Sequence, residues 1–394
     1  MNITFHYIMK NSRGEKLEES TTSFLSGSTT ISPYLQSQLA NLQPGDSKTI
    51  TLPKGTEGAD DDFTFNITIT SIRDSIPPVK IHLLSGFLGA GKTTAIEHAC
   101  HLLQKQNTPV AVITNDQGVR LVDGSRFLHL GIPSREVIGG CFCCNYNHLN
   151  ENIRSLIATH HPSVLFAESV GSCTDLIATI LKPLLDQHPE WQPTISIFAD
   201  AKLLDDTSFA PGVRYIYDKQ LEEAQVIVIT RSEEWSTQQK QDIQNRFPNK
   251  IILFHNSYDE SDIRRWLDTL ENLPARPTLP SLDIDYDLYA EGEARLAWLD
   301  QELTIDSQQA ALHLMELIDH KIKKENYPVG RLKFWLSPPN LLINARVQTD
   351  PPTLSRLVAD AIAETNARYQ TKIHTLTRQS FQPGYPRPTH RIPY

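Results

Sequence analysis

No apolar run in these 394 residues approaches the roughly 20 needed to cross a bilayer. The opening residues, MNITFHYIMKNSRGEK, lack the basic stretch and apolar core of a secretory signal, so a cytoplasmic protein is expected. No dense Lys/Arg tract is present and the net charge is −9. That balance disfavours a surface built to neutralise a phosphate backbone, and neither nucleic acid nor membrane is expected as a partner. Disulfide chemistry is also poorly served. The five cysteines are Cys100, Cys141, Cys143, Cys144 and Cys173, an odd set with three of them inside four residues. In a reducing compartment such a cluster serves better as thiolate ligands. There is no internal repeat. With 39% hydrophobic and 21% charged residues, the chain has the composition of an ordinary globular protein, and its length argues for two or three domains.

Three segments follow from the patterning. Residues 1–75 alternate apolar and polar residues in ITFHYIM, SKTITLP and FTFNITITSI, as half-buried strands do. A short helix is expected in PYLQSQLANL, entered after Ser32 with Pro33 in its first turn and ended by the Pro44-Gly45-Asp46 turn. From residue 78 to about residue 275 the strands become continuously apolar: VKIHLLS, PVAVIT, SVLFAE, TISIFAD, VIVIT and KIILFH. Helical stretches separate them, so an α/β domain with a mainly parallel sheet covered on both faces is predicted. Residues 283–380 read as β-α-β-β-α-β, a ferredoxin-like α+β domain. The Pro-rich tail, residues 381–394, is expected to be extended or mobile.

The sharpest motif is GFLGAGKTT, Gly86 to Thr94, which fits G-x-x-x-x-G-K-[ST] between an apolar strand and a helix. Backbone N–H groups must turn inward onto phosphate oxygens there, which requires glycine. The phosphate-binding set is therefore Gly86, Gly89, Ala90, Gly91, Lys92, Thr93 and Thr94. Lys92 is expected on the β- and γ-phosphates and the Thr93 hydroxyl on Mg²⁺. Downstream, Gly139-Gly140 gives the backbone freedom to converge Cys141, Cys143 and Cys144, and three thiolates suit Zn²⁺ or a similar divalent ion. Cys173, His148, a water or a client's ligand are the alternatives for a fourth position.

ITNDQG, with Asp123 just beyond it, IGGCFCCN and LFAESVGSCTD, in this order after the P-loop, closely resemble the CobW-like metal-chaperone GTPases over residues 79–260. The resemblance implies GTP hydrolysis, Mg²⁺, a transition-metal cargo, a client metalloprotein and a homodimer. It places Asp116 in a first switch and Glu168 to Gly171 in a second, with Lys92, Asp116 and Glu168 as the catalytic set and Thr93, Asp116 and Glu168 around Mg²⁺. The family's Asn-Lys-x-Asp base-reading motif is replaced by Thr230, Arg231, Ser232 and Glu233. Glu233 would pair with guanine and the Arg231 stem would cover the base. GTP is the implied nucleotide, with ATP left open.

Residues 1–75 resemble a truncated FKBP-type peptidyl-prolyl isomerase domain, carried by ITFHYIMKNSRGEKLEES as first strand and turn, SPYLQSQLANLQPGD and FTFNITITSI. The flap is reduced to KGTEGADDD, which implies a docking module rather than an active isomerase. Two other classes compete with a metallochaperone. A nucleotide-gated assembly factor would bind no stoichiometric metal. A P-loop kinase would need an arginine-rich lid that the chain lacks.

Overall fold

The computed structural model describes the chain except residues 1, 26–30, 74–78, 118–121, 276 and 394. It divides into two compact units, Met1–Pro78 and Val79–Tyr394. Among the described residues, no helix is long and apolar enough to cross a membrane.

The first unit is a four-stranded antiparallel sheet with one helix. Strands β1 (Asn2–Lys10), β2 (Lys16–Leu25), β3 (Ser47–Leu52) and β4 (Phe63–Arg73) pair in the order β2-β1-β4-β3. Helix α1 (Pro33–Leu39) is capped by the Ser32 hydroxyl, which accepts from the Leu35 N–H. It buries Leu39 against Ile3, Phe5, Phe24, Ile50, Ile67 and Ile69. The sequence reading treats residues after the first strand as a turn; the structure forms β2 there. This strand lies at a sheet edge and is polar along most of its length, so the alternation that marks a half-buried strand is missing.

The second unit carries a seven-stranded parallel sheet. Its strands are β5 (Lys80–Ser85), β6 (Val110–Asn115), β7 (Ser134–Val137), β8 (Val164–Glu168), β9 (Gln192–Asp200), β10 (Val226–Thr230) and β11 (Ile251–His255), in the order β11-β10-β9-β5-β8-β6-β7. Helices α2 (Lys92–Lys105), α3 (Val122–His129), α4 (Tyr146–His160), α5 (Lys182–Gln187), α6 (Pro211–Glu223) and α7 (Thr237–Arg246) connect them, and α8 (Glu260–Glu271) follows the last. Two large apolar clusters, one on Leu83, Ala167 and Ile197 and the other on Leu84, Phe166 and Trp266, cover the sheet's two faces. Strand β5 lies between β8 and β9, so Glu168 and Asp200 end on either side of the P-loop, the usual crevice of an open α/β sheet.

Helix α9 (Tyr286–Ala294) precedes the C-terminal layer and falls in a stretch to which the sequence patterning assigns no element. Its pattern is hidden because Gly292 packs on Gly212 of α6; a Cβ on Gly292 would come 2.3 Å from the Gly212 carbonyl oxygen. The last layer runs β12 (Ala297–Thr304), α10 (Gln308–Lys324), β13 (Val329–Ser337), β14 (Asn340–Val347), α11 (Pro351–Tyr369) and β15 (His374–Phe381). The predicted β-α-β-β-α-β succession is present, as an antiparallel sheet ordered β13-β14-β12-β15.

Candidate functional site

The P-loop leaves β5 at Gly86, whose φ is +124°. A Cβ there would lie 2.0 Å from the Phe198 carbonyl oxygen, so only glycine fits. The turn ends at Gly91, which caps α2 in the left-handed region. Gly89 is also left-handed, Ala90 is fully buried and Thr94 is half-buried on the first helical turn. The Lys92 ammonium is buried and donates to the carbonyls of Gly86 (2.6 Å) and Phe87 (3.3 Å). Thr93 donates from its hydroxyl to Glu168 Oε1 at 2.8 Å. A hydroxyl in the first turn of α2 and a carboxylate at the end of β8 are a suitable oxygen pair for Mg²⁺, and the glycine-lined turn suits a polyphosphate.

Asp116 is 1% exposed and is turned to the C-terminal sheet. Arg346 Nη2 lies 2.8 Å from its Oδ1, and Arg331 Nη1 lies 3.4 Å from its Oδ2. Arg346 is itself fully buried. It donates to Asp300 (2.7 Å) and to the Leu299 carbonyl (3.1 Å), and its guanidinium stands 4.1 Å from the Trp298 ring centre. Burial pushes the Asp300 carboxyl upward, against the opposing pull of Arg346. Neither arginine is signalled by any motif. Gly118 and the side chain of Asp123 lie outside the described residues.

In the stretch Thr230 to Glu233, where base reading is expected, Thr230 donates to the Ala90 carbonyl at 3.0 Å. Arg231 takes a left-handed backbone and folds over the P-loop, pairing with Asp200 and donating to the Gly89 carbonyl at 3.0 Å. Ser232 is buried and Glu233 is exposed.

The cysteine loop begins at Gly139 and Gly140, with φ of +76° and +157°. Their freedom brings Cys141 Sγ to 2.8 Å from Cys143 Sγ and 3.2 Å from Cys144 Sγ, with 3.8 Å between the last two. With Zn–S bonds of about 2.3 Å, tetrahedral sulfurs stand about 3.8 Å apart. The Cys143–Cys144 pair therefore already fits, and Cys141 must open by about 1 Å to admit such an ion. Cys173 is fully buried beside them. Hydrogen bonds from Cys141 and Cys143 draw its thiol down to about 6, whereas Cys143 is pushed well up because its thiol bonds to Cys141, Cys144 and Cys173.

One residue ties these parts together. Asn115, at the end of β6, donates to the Val137 (2.9 Å) and Gly140 (2.7 Å) carbonyls. Its Oδ1 accepts from the Phe142 N–H (2.9 Å) and the Val170 N–H (3.4 Å). A single amide thus joins the cysteine loop to the loop after Glu168. A second bridge runs through Glu293 of α9, which accepts from Gln117 (2.9 Å) and Ser172 (2.5 Å) and whose carboxyl burial pushes up to about 8.

The Pro-rich tail is extended and docked beside the cysteines. The Arg387 N–H lies 3.2 Å from Cys144 Sγ, the Thr389 N–H donates to the Cys143 carbonyl at 3.0 Å, and the His390 ring centre is 4.5 Å from that of Tyr146. Arg391 then pairs with Asp175 at 2.7 Å.

Residues 80–250 match the CobW/HypB/UreG nucleotide-binding domain. The CobW-type match thus covers the P-loop, Asp116, the cysteine loop, Glu168 and Arg231, and stops short of the C-terminal sheet. Among curated proteins, the chain is 28% identical to the zinc chaperone YeiR of Escherichia coli (strain K12) over 169 residues, which is 42% of this chain and 50% of that protein. It is 32% identical to the zinc chaperone YjiA of the same organism over 101 residues, 25% of this chain and 31% of that one. The chain therefore spans about half of the one relative and under a third of the other. Among solved structures, HypB from Helicobacter pylori in complex with nickel is 17% identical with a TM-score of 0.38, covering 50% of this chain and 86% of that one. The hydrogenase maturation factor HypB from Archaeoglobus fulgidus is 19% identical with a TM-score of 0.36, covering 50% and 90%. Likenesses this slight add nothing to the strand order already described.

Proposed function

We propose that the chain is a GTP-hydrolysing metallochaperone of the cytoplasm. On this reading it takes Zn²⁺ or a similar divalent ion onto Cys141, Cys143 and Cys144 and delivers it to a client metalloprotein as the nucleotide changes. The observation that carries the reading is the Asn115 amide, which bonds to both the cysteine loop and the loop after Glu168. Anything that moves one loop then alters the other, the reciprocal coupling that uptake and release require. The names of the two curated zinc chaperones support the choice of cargo.

The P-loop amides and Lys92 would cradle the phosphates, and Thr93 and Glu168 would hold Mg²⁺, which when bound neutralises charge on the β- and γ-phosphates. Asp116, held by Arg346, would anchor the start of the first switch. Thr230, Arg231 and Glu233 flank the base, with Glu233 the carboxylate available to guanine. The choice of GTP over ATP rests on the CobW-type match. The N-terminal sheet, if FKBP-like, would be a docking module for the client, and self-association would form a homodimer.

The test is metal titration of the reduced protein under GTP, GDP or no nucleotide, repeated with ATP. One Zn²⁺ per chain is expected, with an affinity that differs between GTP and GDP. It should be lost when the three cysteines become Ser, and its nucleotide dependence should vanish in Lys92→Ala. An affinity blind to nucleotide in the unmodified protein would overturn the reading.

A further inference from the structure

Strand β13 crosses the mouth of the P-loop. Side chains on one face of a strand recur every second residue. Leu332, Phe334 and Leu336 pack against the core of the C-terminal layer, while Arg331, Lys333 and Trp335 turn the other way. Arg331 pairs with Asp116 at 3.4 Å, and the Trp335 ring centre lies 6.2 Å from that of His129 in α3. Gly330 presses its carbonyl on the loop itself, 2.9 Å from where a Cβ on Gly89 would stand. Between these contacts the Lys333 ammonium reaches the Thr93 hydroxyl at 2.9 Å, the same oxygen that donates to Glu168.

We propose that Lys333 is a ligand of the terminal phosphate of a bound nucleoside triphosphate, supplied by the C-terminal sheet. The inference rests on the nucleotide reading above and assigns that site a residue outside the matched domain. Its chemistry follows from charge. Thr93 and Glu168 would hold Mg²⁺, which would supply charge neutralisation to the β- and γ-phosphate oxygens and so keep those oxygens close to the Thr93 hydroxyl. The ammonium already stands at the hydroxyl, so those oxygens fall within a few ångströms of it, inside the sweep of a four-carbon stem. Next to a divalent cation it is repelled, and the negatively charged terminal phosphate is the place that relieves the repulsion. A diphosphate offers no such group. Triphosphate therefore holds β13 over the P-loop, and diphosphate leaves that contact unmade.

The experiment measures the affinity of the full chain for GTPγS and for GDP, each with Mg²⁺, in the wild type, Lys333→Gln, Lys333→Arg and Lys92→Ala. Lys333→Gln is expected to weaken GTPγS by at least about tenfold, as loss of a charged hydrogen bond does, and to leave GDP within about twofold. Lys333→Arg should recover part of the loss. Lys92→Ala should lose both nucleotides, and its failure to do so would strike the P-loop assignment rather than Lys333. Equal weakening of the two nucleotides, tightening of both, or no change overturns the proposal. A measurement on the unmodified chain guards against a misfolded variant: acylation of Lys333, read by mass spectrometry, should fall with GTPγS and not with GDP. Equal protection by both would overturn it.

Discussion

Replacing Arg346 by Met tests how firmly the C-terminal sheet is fixed to the nucleotide-binding domain. The methionine keeps an apolar stem against Trp298 and removes the charge that stands between Asp116 and Asp300, at 2.8 and 2.7 Å. Arg346 is fully buried and its two partners are 1% and 4% exposed, so solvent screens neither pair. Removing one partner of such a buried arrangement costs ~3–5 kcal/mol, because it strands an uncompensated charge. Arg331 still faces Asp116, which places the expectation toward the lower end. A large domain loses roughly 2–4 °C of Tm per kcal/mol, so thermal unfolding should shift down by about 6–15 °C. The pH dependence is the diagnostic. Burial already raises the Asp300 carboxyl, and without Arg346 it rises further. A carboxyl whose folded pKa is raised contributes its stability at low pH and loses it as pH climbs through that value. The deficit of the variant should therefore be smallest at acidic pH and deepen as pH rises. Asp116→Asn combined with Arg346→Met should cost less than the two single changes added together. A shift under about 2 °C at neutral pH would refute the claim that this cluster anchors the sheet.

Three further outcomes follow from the same contacts. Truncation after Gln382 removes the Arg387, Thr389 and Arg391 bonds around the cysteines; Cys144 should then react faster with a thiol reagent, by roughly tenfold if about 1.4 kcal/mol of docking is lost, and an unchanged rate would show that the tail does not cover it. Glu293, with a folded pKa near 8, gives stability that is full below its ordinary value of 4.5 and lost as pH rises toward 8. Glu293→Gln should thus flatten the fall in Tm between pH 6 and pH 8.5, and an identical slope would remove Glu293 as its source. Asn115→Ala removes both acceptor and donor contacts to the cysteine loop; it should cost ~1–3 kcal/mol in stability through unpaired buried groups and erase the nucleotide dependence of Zn²⁺ affinity, and retained dependence would mean that another route couples the loops.

The seven-stranded sheet and its P-loop were legible because parallel strands buried on both faces become uninterrupted apolar runs, and because Gly86 and Lys92 belong to a motif that admits few other readings. Strand β7, with only Val137 fully buried among its four residues, gave no such run. The cysteine loop was legible as a candidate metal site from three thiols in four residues together with the CobW-like resemblance around them. What lay hidden is long-range. Lys333 and Thr93 are 240 positions apart and Arg346 and Asp116 are 230. A lone lysine or arginine in an alternating strand reads as a solvated side chain until the topology shows which face it occupies. The docked tail is hidden for a related reason: its partners are backbone groups, Cys143 and Ala178 carbonyls among them, which no composition announces.

The distribution of charge among these contacts bears on which parts can move. Asp116 is held by buried ion pairs, whose rupture is costly once the carboxyls are ionised. The loops that follow it and follow Glu168 are joined instead by hydrogen bonds, through the Asn115 amide, the Glu293 carboxyl that Gln117 and Ser172 share, and the cysteine thiols. Each such bond is worth about 1 kcal/mol net and can be exchanged for another. A ligand of a few kcal/mol differential affinity can therefore rearrange the loops while leaving the anchor intact. On the proposed function, admitting an ion needs Cys141 to shift only about 1 Å relative to its neighbours, a change the loop can make while Asp116 keeps its arginine partners.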